Sequence, residues 1–368
     1  MSGHRETDAR VPRAGANAPA SPAPAPADSA PPAGTTAPAG ATAPAGATAP
    51  AGATPPAGTT PPAGATPPAR AAESARAAGS PDAVALSCVI LTMGDRPAEL
   101  DRAVRSVLGQ AGAPIETVVV ANGAQLAPLP RQVKSVLLPS NVGIPAGRNA
   151  GVAESTGDVI LFLDDDGWYV DRDLAAHVRG RFAADPSLAV LSFRVRDPAG
   201  GPGQRRHVPR LRAGDPERSS AVTTFLGGAC AIRREAFTRA GGYPGDFFYA
   251  HEETDLAWRL MDAGYRLEYD AAAVMFHPAA APARHAQFFR LNARNRVLLA
   301  RRNLPWPVAA AYLFDWALMM IARERSLRAL RPWFAGFTEG WRAEPGMRRP
   351  ISWRTVWRMT VLGRPPVI

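Results

Sequence analysis

Residues 158–166 read Asp-Val-Ile-Leu-Phe-Leu-Asp-Asp-Asp, so a short apolar run ends directly on three carboxylates. Its length and composition predict a strand that is buried on both faces. The same pattern occurs at residues 84–91, 115–120 and 133–138. Between the first two of these, residues 97–110 repeat apolar side chains at helical spacing. Strands that alternate with helices predict an α/β fold with a mostly parallel sheet.

Each of these strands is followed by polar residues, namely Thr92, Asn122, Asn141 and the aspartates 164–166. In open α/β sheets, ligands bind beyond the carboxyl ends of the strands. We therefore expect the functional site at this edge of the sheet.

The three aspartates raise the question of what neutralises them. Adjacent like charges repel one another, and a divalent cation would relieve that repulsion. Mg²⁺ and Mn²⁺ favour carboxylate oxygens. His277 follows a later apolar run and could add an imidazole that suits Mn²⁺. The alternatives are a solvated acidic turn and a structural histidine, and spacing alone does not join His277 to Asp166.

A second acidic cluster, Glu252-Glu253-Thr254-Asp255, opens a predicted helix over residues 252–263. One of its carboxylates could act as a general base that accepts a proton from a hydroxyl group. The alternative is structural, because acids favour helix N-termini and Asp255 pairs with Arg259 at i+4. The residues alone leave both interpretations open.

Residues 141–149 form a predicted loop with glycines that allow a close backbone approach. Arg148 in this loop could pair with phosphate. The loop has neither the Gly-Lys-Ser/Thr ending of a P-loop nor the glycine spacing of a dinucleotide-binding fingerprint. It therefore indicates a nucleotide site only together with the other segments.

The composition divides the chain into three parts. Residues 1–80 contain a six-residue Pro-Ala-Gly repeat and few large apolar side chains, which predicts a disordered tail. Residues 81–282 carry the strands and helices described above. Residues 283–368 hold sixteen arginines and four acids, a net charge of +12. The polar N-terminus shows no secretory signal, so we expect a cytoplasmic protein.

The basic C-terminal region interleaves arginine with large apolar residues, which favours an anionic membrane surface over nucleic acid. Residues 304–322 are interrupted by two prolines and an aspartate, so we expect a helix that lies in the interface rather than one that spans the membrane. Leu327, Leu330 and Trp333 would then face the lipid. The alternative is a helical appendage packed on the preceding domain.

Taken in order, these segments resemble the family 2 glycosyltransferases, in particular bacterial rhamnosyltransferase-like and galactofuranosyltransferase-like members. The resemblance covers about 200 residues and seven motifs in the family's order. The motifs are residues 89–92, 118–123, 141–149, 162–166, 227–228 and 252–265, together with His277.

The resemblance implies a GT-A fold and an inverting transfer of a hexosyl or deoxyhexosyl group from a nucleotide-diphosphate sugar. It implies that Asp164, Asp166 and His277 bind Mn²⁺ or Mg²⁺, and that Glu253 is the catalytic base, with Asp255 and Glu252 as further candidates. The implied nucleotide-sugar site consists of Thr92, Asn122, Asn141, Gly143, Arg148, Asp164 and Asp165. Ala121 stands where many members have an aspartate that contacts the base, so the resemblance does not choose the nucleotide.

The acceptor implied for such a protein is a glycan or a polyprenyl-linked molecule, as in cell-envelope polysaccharide synthesis on the inner face of the plasma membrane. Two other functions compete with this one. A sugar nucleotidyltransferase would carry a glycine-rich loop after the first strand, and residues 92–97 lack that glycine density. A catalytically inactive sugar-nucleotide or glycan-binding protein would have no need of the acidic residues, which are present.

Overall fold

The computed structural model describes residues 84–200, 215–278, 286–324 and 326–367. The expected tail, residues 1–80, lies outside the described residues. Within the described ranges, nine strands form one sheet: β1 (Leu86–Thr92), β2 (Glu116–Asn122), β3 (Val133–Leu138), β4 (Val159–Asp164), β5 (Trp168–Tyr169), β6 (Leu188–Arg196), β7 (Ser220–Ala221), β8 (Ala229–Arg233) and β9 (Arg266–Phe276).

Nine helices accompany the strands in the described residues: α1 (Pro97–Leu108), α2 (Ile144–Ala153), α3 (Leu174–Ala184), α4 (Arg234–Ala240), α5 (Glu252–Asp262), α6 (Ala286–Asn303), α7 (Trp306–Arg323), α8 (Leu327–Arg342) and α9 (Trp353–Val361). A short 3₁₀ helix, Gly245–Phe247, precedes α5.

The sheet follows the order β3-β2-β1-β4-β8-β6-β9-β5, and β7 pairs with β9. Strands β1 to β4 are parallel, as are β6 and β9. The pairings of β8 with β4 and β6, and of β9 with β5 and β7, are antiparallel, which makes the sheet mixed. The expected α/β architecture is confirmed.

Both faces of the central strands are buried because side chains alternate across the sheet. Ile90 and Leu161 pack on one face with α1 and α3. Val89 and Phe162 pack on the other face with α4, α5 and α6. This arrangement explains why the central strands read as continuous apolar runs.

The C-terminal helices are packed on the domain. Trp333 is 3% exposed and stacks on Phe337, so its expected orientation toward lipid was wrong. Trp333 packs with Phe289 and Ala293 of α6, and this burial removes its ring from water. Leu327 is exposed. Within the described part of the chain, no helix combines the length and the apolar character needed to cross a membrane.

Candidate active site

The carboxyl ends of β1, β2 and β4 meet at one edge of the sheet and form the floor of a cleft of about 570 Å³. Every residue expected to bind the nucleotide sugar or the metal lines this cleft: Thr92, Asn122, Asn141, Gly143, Arg148, Asp164, Asp165, Asp166 and His277. The shared sheet edge explains this for Thr92, Asn122 and the three aspartates, which end or follow the neighbouring parallel strands β1, β2 and β4. Arg148 reaches the cleft from α2, and His277 follows β9.

Asn122 and Asn141 shape one wall of the cleft. The Asn122 Nδ2 donates to Asn141 Oδ1 at 2.9 Å, and the backbone N–H of Val142 donates to Asn122 Oδ1 at 2.9 Å. Gly143 has a φ of +86°, and a Cβ there would lie 2.5 Å from the Cα of Phe248. The two amides therefore hold the loop that leads into α2, and only glycine fits where this loop comes closest to Phe248.

The three aspartates have different partners. Thr92 Oγ1 donates to Asp165 Oδ2 at 2.6 Å, and Arg148 Nη2 donates to Asp164 Oδ1 at 2.9 Å. Asp166 forms ion pairs with Arg96 and with His277, whose Nε2 lies 3.1 Å from Asp166 Oδ1. Charged and polar neighbours thus offset the repulsion that the sequence implied.

Burial alone would raise the pKa of Asp166, but the hydrogen bond to His277 and the charge of Arg96 lower it overall. The same hydrogen bond raises the pKa of His277. Burial raises the pKa of Asp165 despite its hydrogen bond from Thr92 and the nearby charge of Arg96. The cleft therefore contains a carboxylate–imidazole pair beside two further carboxylates.

No group of three His, Cys, Asp or Glu side chains is arranged around a metal position among residues 84–200, 215–278, 286–324 and 326–367. The donor chemistry nevertheless fits a divalent ion. Adjacent ligands of an octahedral ion bonded at about 2.1 Å lie about 3 Å apart, as the oxygen of Asp166 and the nitrogen of His277 do. Asp164 faces the same cleft with its side chain 43% exposed.

A second cleft of about 450 Å³ adjoins the first and contains two of the three predicted catalytic acids. Glu252 and Glu253 both line it, and Arg148, Asp164 and His277 line both clefts. The two clefts therefore meet at the end of β4.

Glu252 and Glu253 flank the buried guanidinium of Arg148. The Nη1 of Arg148 lies 3.9 Å from Glu252 Oε1 and 3.7 Å from Glu253 Oε1. Burial, together with repulsion from Glu253, raises the pKa of Glu252 to about 8. Burial also raises the pKa of Glu253, which accepts a hydrogen bond from the backbone of Gly227. Groups with raised pKa values are suited to accept a proton near neutral pH.

Asp255 has a different environment from the two glutamates. It is 2% exposed and lines neither cleft. Arg259 Nε donates to its Oδ2 at 2.8 Å, and Asn303 Nδ2 donates to its Oδ1 at 2.6 Å. Both oxygens are thus bonded to protein donors, so Asp255 does not face the space where an acceptor would bind.

Arg148 also departs from its expected environment. It is 5% exposed and lies beneath Asp164, beside the two glutamates. Its guanidinium contacts carboxylates of the protein, rather than projecting freely toward a ligand phosphate.

The sequence interpretation missed several residues of the cleft, notably Arg96, Tyr249 and Phe288. Arg96 lies in the turn after β1, where its charge beside an expected acidic site was a usable signal. Tyr249 and Phe288 come from distant segments, and their rings lie 6.3 Å apart. No local pattern indicates that such residues meet.

The glycosyl transferase family 2 model matches residues 87–241. A pre-mycofactocin glycosyltransferase found in two strains of Mycobacterium tuberculosis is 28% identical over 201 residues. That match covers 50% of this chain and only 41% of the curated relative.

The fold is similar to that of solved glycosyltransferase structures. GalNAc-T7, solved with UDP, GalNAc and Mn²⁺, gives a TM-score of 0.54 at 16% identity, covering 77% of this chain and 58% of that chain. Residues 1–349 of S. aureus TarS give 0.50 at 14% identity, covering 70% and 80%. The fold is therefore GT-A, as expected.

Proposed function

We propose that this chain, which carries a family 2 glycosyltransferase domain, moves a sugar from a nucleotide-diphosphate donor to an acceptor hydroxyl. One observation carries the proposal. The residues expected to bind the donor line a single cleft, which opens onto a second cleft containing two glutamates of raised pKa. An acceptor in the second cleft would thus face a donor in the first.

A divalent metal fits the donor cleft, where Asp164, Asp166 and His277 would hold it. When bound, it would offset negative charge on the departing diphosphate. Mn²⁺ is bound in the GalNAc-T7 structure, which has a similar fold. Mn²⁺ or Mg²⁺ is therefore our proposed cofactor.

Glu253 is the proposed general base. It is the more exposed of the two glutamates, with 23% of its side chain accessible against 3% for Glu252. Its carboxylate would take the proton of the acceptor hydroxyl, whose oxygen then bonds to the anomeric carbon as the bond to the diphosphate breaks. One displacement without an enzyme nucleophile inverts the anomeric configuration.

Arg148 and Asp255 would act by positioning. Arg148 holds Asp164 on one side and faces both glutamates on the other. Asp255 fixes the first turn of α5 through Arg259 and Asn303. These contacts orient the base relative to the donor cleft.

We further propose that the protein works at an anionic membrane surface on a lipid-linked acceptor of cell-envelope polysaccharide synthesis. Each of three C-terminal helices exposes a stripe of apolar residues at helical spacing. The stripes are Phe314, Leu318 and Ile321 on α7; Leu327, Phe334 and Trp341 on α8; and Trp353, Trp357 and Val361 on α9. The region's charge of +12 complements anionic lipid.

The activity is tested by incubating the protein and Mn²⁺ with a panel of sugar nucleotides and measuring nucleoside diphosphate release with and without polyprenyl-linked acceptors. We expect release from one donor, with a loss of about 100-fold or more in Glu253→Gln. Glu235→Gln changes an exposed acid on α4 and should leave the rate unchanged. Metal-dependent nucleotide binding without release would instead favour a binding protein.

Membrane contact is tested by flotation of the full chain with liposomes. We expect binding to anionic vesicles, weakened in the double variant Trp353→Ser, Trp357→Ser and at high salt. Equal flotation of the variant and the parent chain would argue against the α9 stripe.

A further inference from the structure

A third cavity, of about 90 Å³, lies beside the start of α5. Residues from α5, α6, α7 and the chain after α9 line it, among them Thr254, Arg296, Trp316 and Arg364. It shares His251 and Thr254 with the second cleft and no lining residue with the nucleotide cleft. The cavity therefore adjoins the proposed acceptor side of the site.

Arg296 places a positive charge in this cavity. It is 8% exposed, donates to the hydroxyl of Tyr312 at 2.8 Å and to Asn292 Oδ1 at 3.1 Å, and its guanidinium lies 3.2 Å from the ring centroid of Trp316. In the described ranges, Arg296 has no carboxylate within ion-pair distance. A buried charge without a counter-charge is costly, and an anion would offset that cost.

Among the residues that the structure describes, three buried polar atoms on residues lining this cavity have no hydrogen-bond partner. They are Thr223 Oγ1, His251 Nε2 and Trp316 Nε1. The indole N–H can only donate, and so can the guanidinium of Arg296. No acidic side chain lines the cavity in the described residues. With Arg296 and Trp316 as donors, this set suits a ligand that accepts several hydrogen bonds.

We propose that the cavity binds an oxyanion of the phosphate class. A volume of 90 Å³ exceeds the roughly 10–15 Å³ that one water requires. Arg296 supplies the charge, and Trp316, Thr223 and His251 supply further hydrogen bonds. The anion is either free phosphate or, if the proposed transfer reaction is correct, a phosphate group of the acceptor, held beside the turn that carries the base.

The experiment is calorimetric titration of the full chain with inorganic phosphate and, separately, with a short prenyl monophosphate, both after saturation of the nucleotide cleft with a nucleoside diphosphate and Mg²⁺. We expect Arg296→Gln to weaken phosphate binding at least tenfold. Trp316→Phe keeps the aromatic ring but loses the N–H, and should weaken binding about fivefold. Arg328→Gln removes an exposed arginine outside the cavity and serves as the charge-matched control.

Urea unfolding of each variant separates loss of binding from loss of folding. Should Arg296→Gln fail to fold, Trp316→Phe and the isosteric Thr223→Val still test the site. Tighter binding of the prenyl phosphate would identify the acceptor as the source of the anion, and binding of inorganic phosphate alone would identify free phosphate. Absence of binding to the parent chain, or equal binding by the cavity variants, would overturn the proposal and leave a cavity that holds only water. Because the readout is binding, it is independent of sugar transfer.

Discussion

Replacing Arg148 with methionine tests whether this buried guanidinium holds the site together in the absence of any ligand. Arg148 is bonded to Asp164 and lies within 4 Å of Glu252 and Glu253. Methionine fills much of the same space but carries no charge. If Arg148 served only to bind a phosphate, the ligand-free protein would be little affected by its loss.

The expected cost follows from the contacts. Removing one partner of a buried ion pair costs about 3–5 kcal/mol. The side chain of Asp164 is 43% exposed, so screening by solvent reduces the contribution of the Arg148–Asp164 pair to this cost. The glutamates are more deeply buried, and the contact of Arg148 with the ring of Phe162, at 5.9 Å, contributes a further fraction. We expect a loss of about 3 kcal/mol in the free energy of unfolding.

The loss should depend on pH. The pKa of Glu252 is raised to about 8, so its carboxylate becomes charged in the folded protein only as the pH passes that value. The attraction between Arg148 and Glu252 therefore stabilises the folded protein mainly above pH 8. The deficit of Arg148→Met should be larger at pH 9 than at pH 6.

Urea unfolding at pH 6 and pH 9 measures both quantities. Arg105→Met is the matched control, because Arg105 forms an exposed i,i+4 pair with Asp101. That pair is screened by solvent, so its loss should leave the free energy of unfolding essentially unchanged. A deficit for Arg148→Met below about 1 kcal/mol, or one equal at both pH values, would refute the argument.

Three further predictions concern the same site. Gly228→Ala would place a Cβ about 2 Å from the carboxylate of Asp164, so nucleoside diphosphate release should fall about 100-fold. Gly180→Ala is the control, because its Cβ would meet open space, and it should leave the rate of release unchanged. Asn295→Leu removes a buried amide that donates to three carbonyls of the loop 247–250, and urea unfolding should show a loss of about 2–4 kcal/mol. Glu252 has a raised pKa in the folded protein, so its ionisation lowers the free energy of unfolding of the parent as the pH rises from about 4.5 through 8. Glu252→Gln removes this group, so its free energy of unfolding should gain about 1–3 kcal/mol relative to the parent between pH 5 and pH 9. No gain would contradict the assigned direction of the pKa shift.

The central strands and the donor cleft could be predicted from the sequence because their signals are local. Apolar runs identify buried strands, and β3 begins and ends at the predicted residues, 133 and 138. Polar residues at the ends of neighbouring parallel strands must then meet at one edge of the sheet. The two-residue strands β5 and β7 gave no such signal, because their pairing with β9 is decided by tertiary contacts.

The roles within the acidic cluster could not be predicted in the same way. Glu252, Glu253 and Asp255 are all acids in the first turn of one helix. Their environments differ because Arg148 lies about 100 residues earlier in the chain and Asn303 lies 48 residues later. Local sequence contains the titratable groups, but these distant partners decide which carboxylate faces the cleft.

The boundary expected at residue 282 divides the chain by composition, and the contacts of α6 argue against a functional division there. Asn303 bonds to Asp255, and Asn295 bonds to the loop that precedes Glu252. In that loop Phe248, Ala250 and His251 all have positive φ, a conformation that costs about 1–3 kcal/mol per residue unless neighbouring groups enforce it. Since α6 supplies those enforcing contacts, we infer that the catalytic unit extends at least to residue 303. The asparagines of α6 thus hold the start of α5 in place.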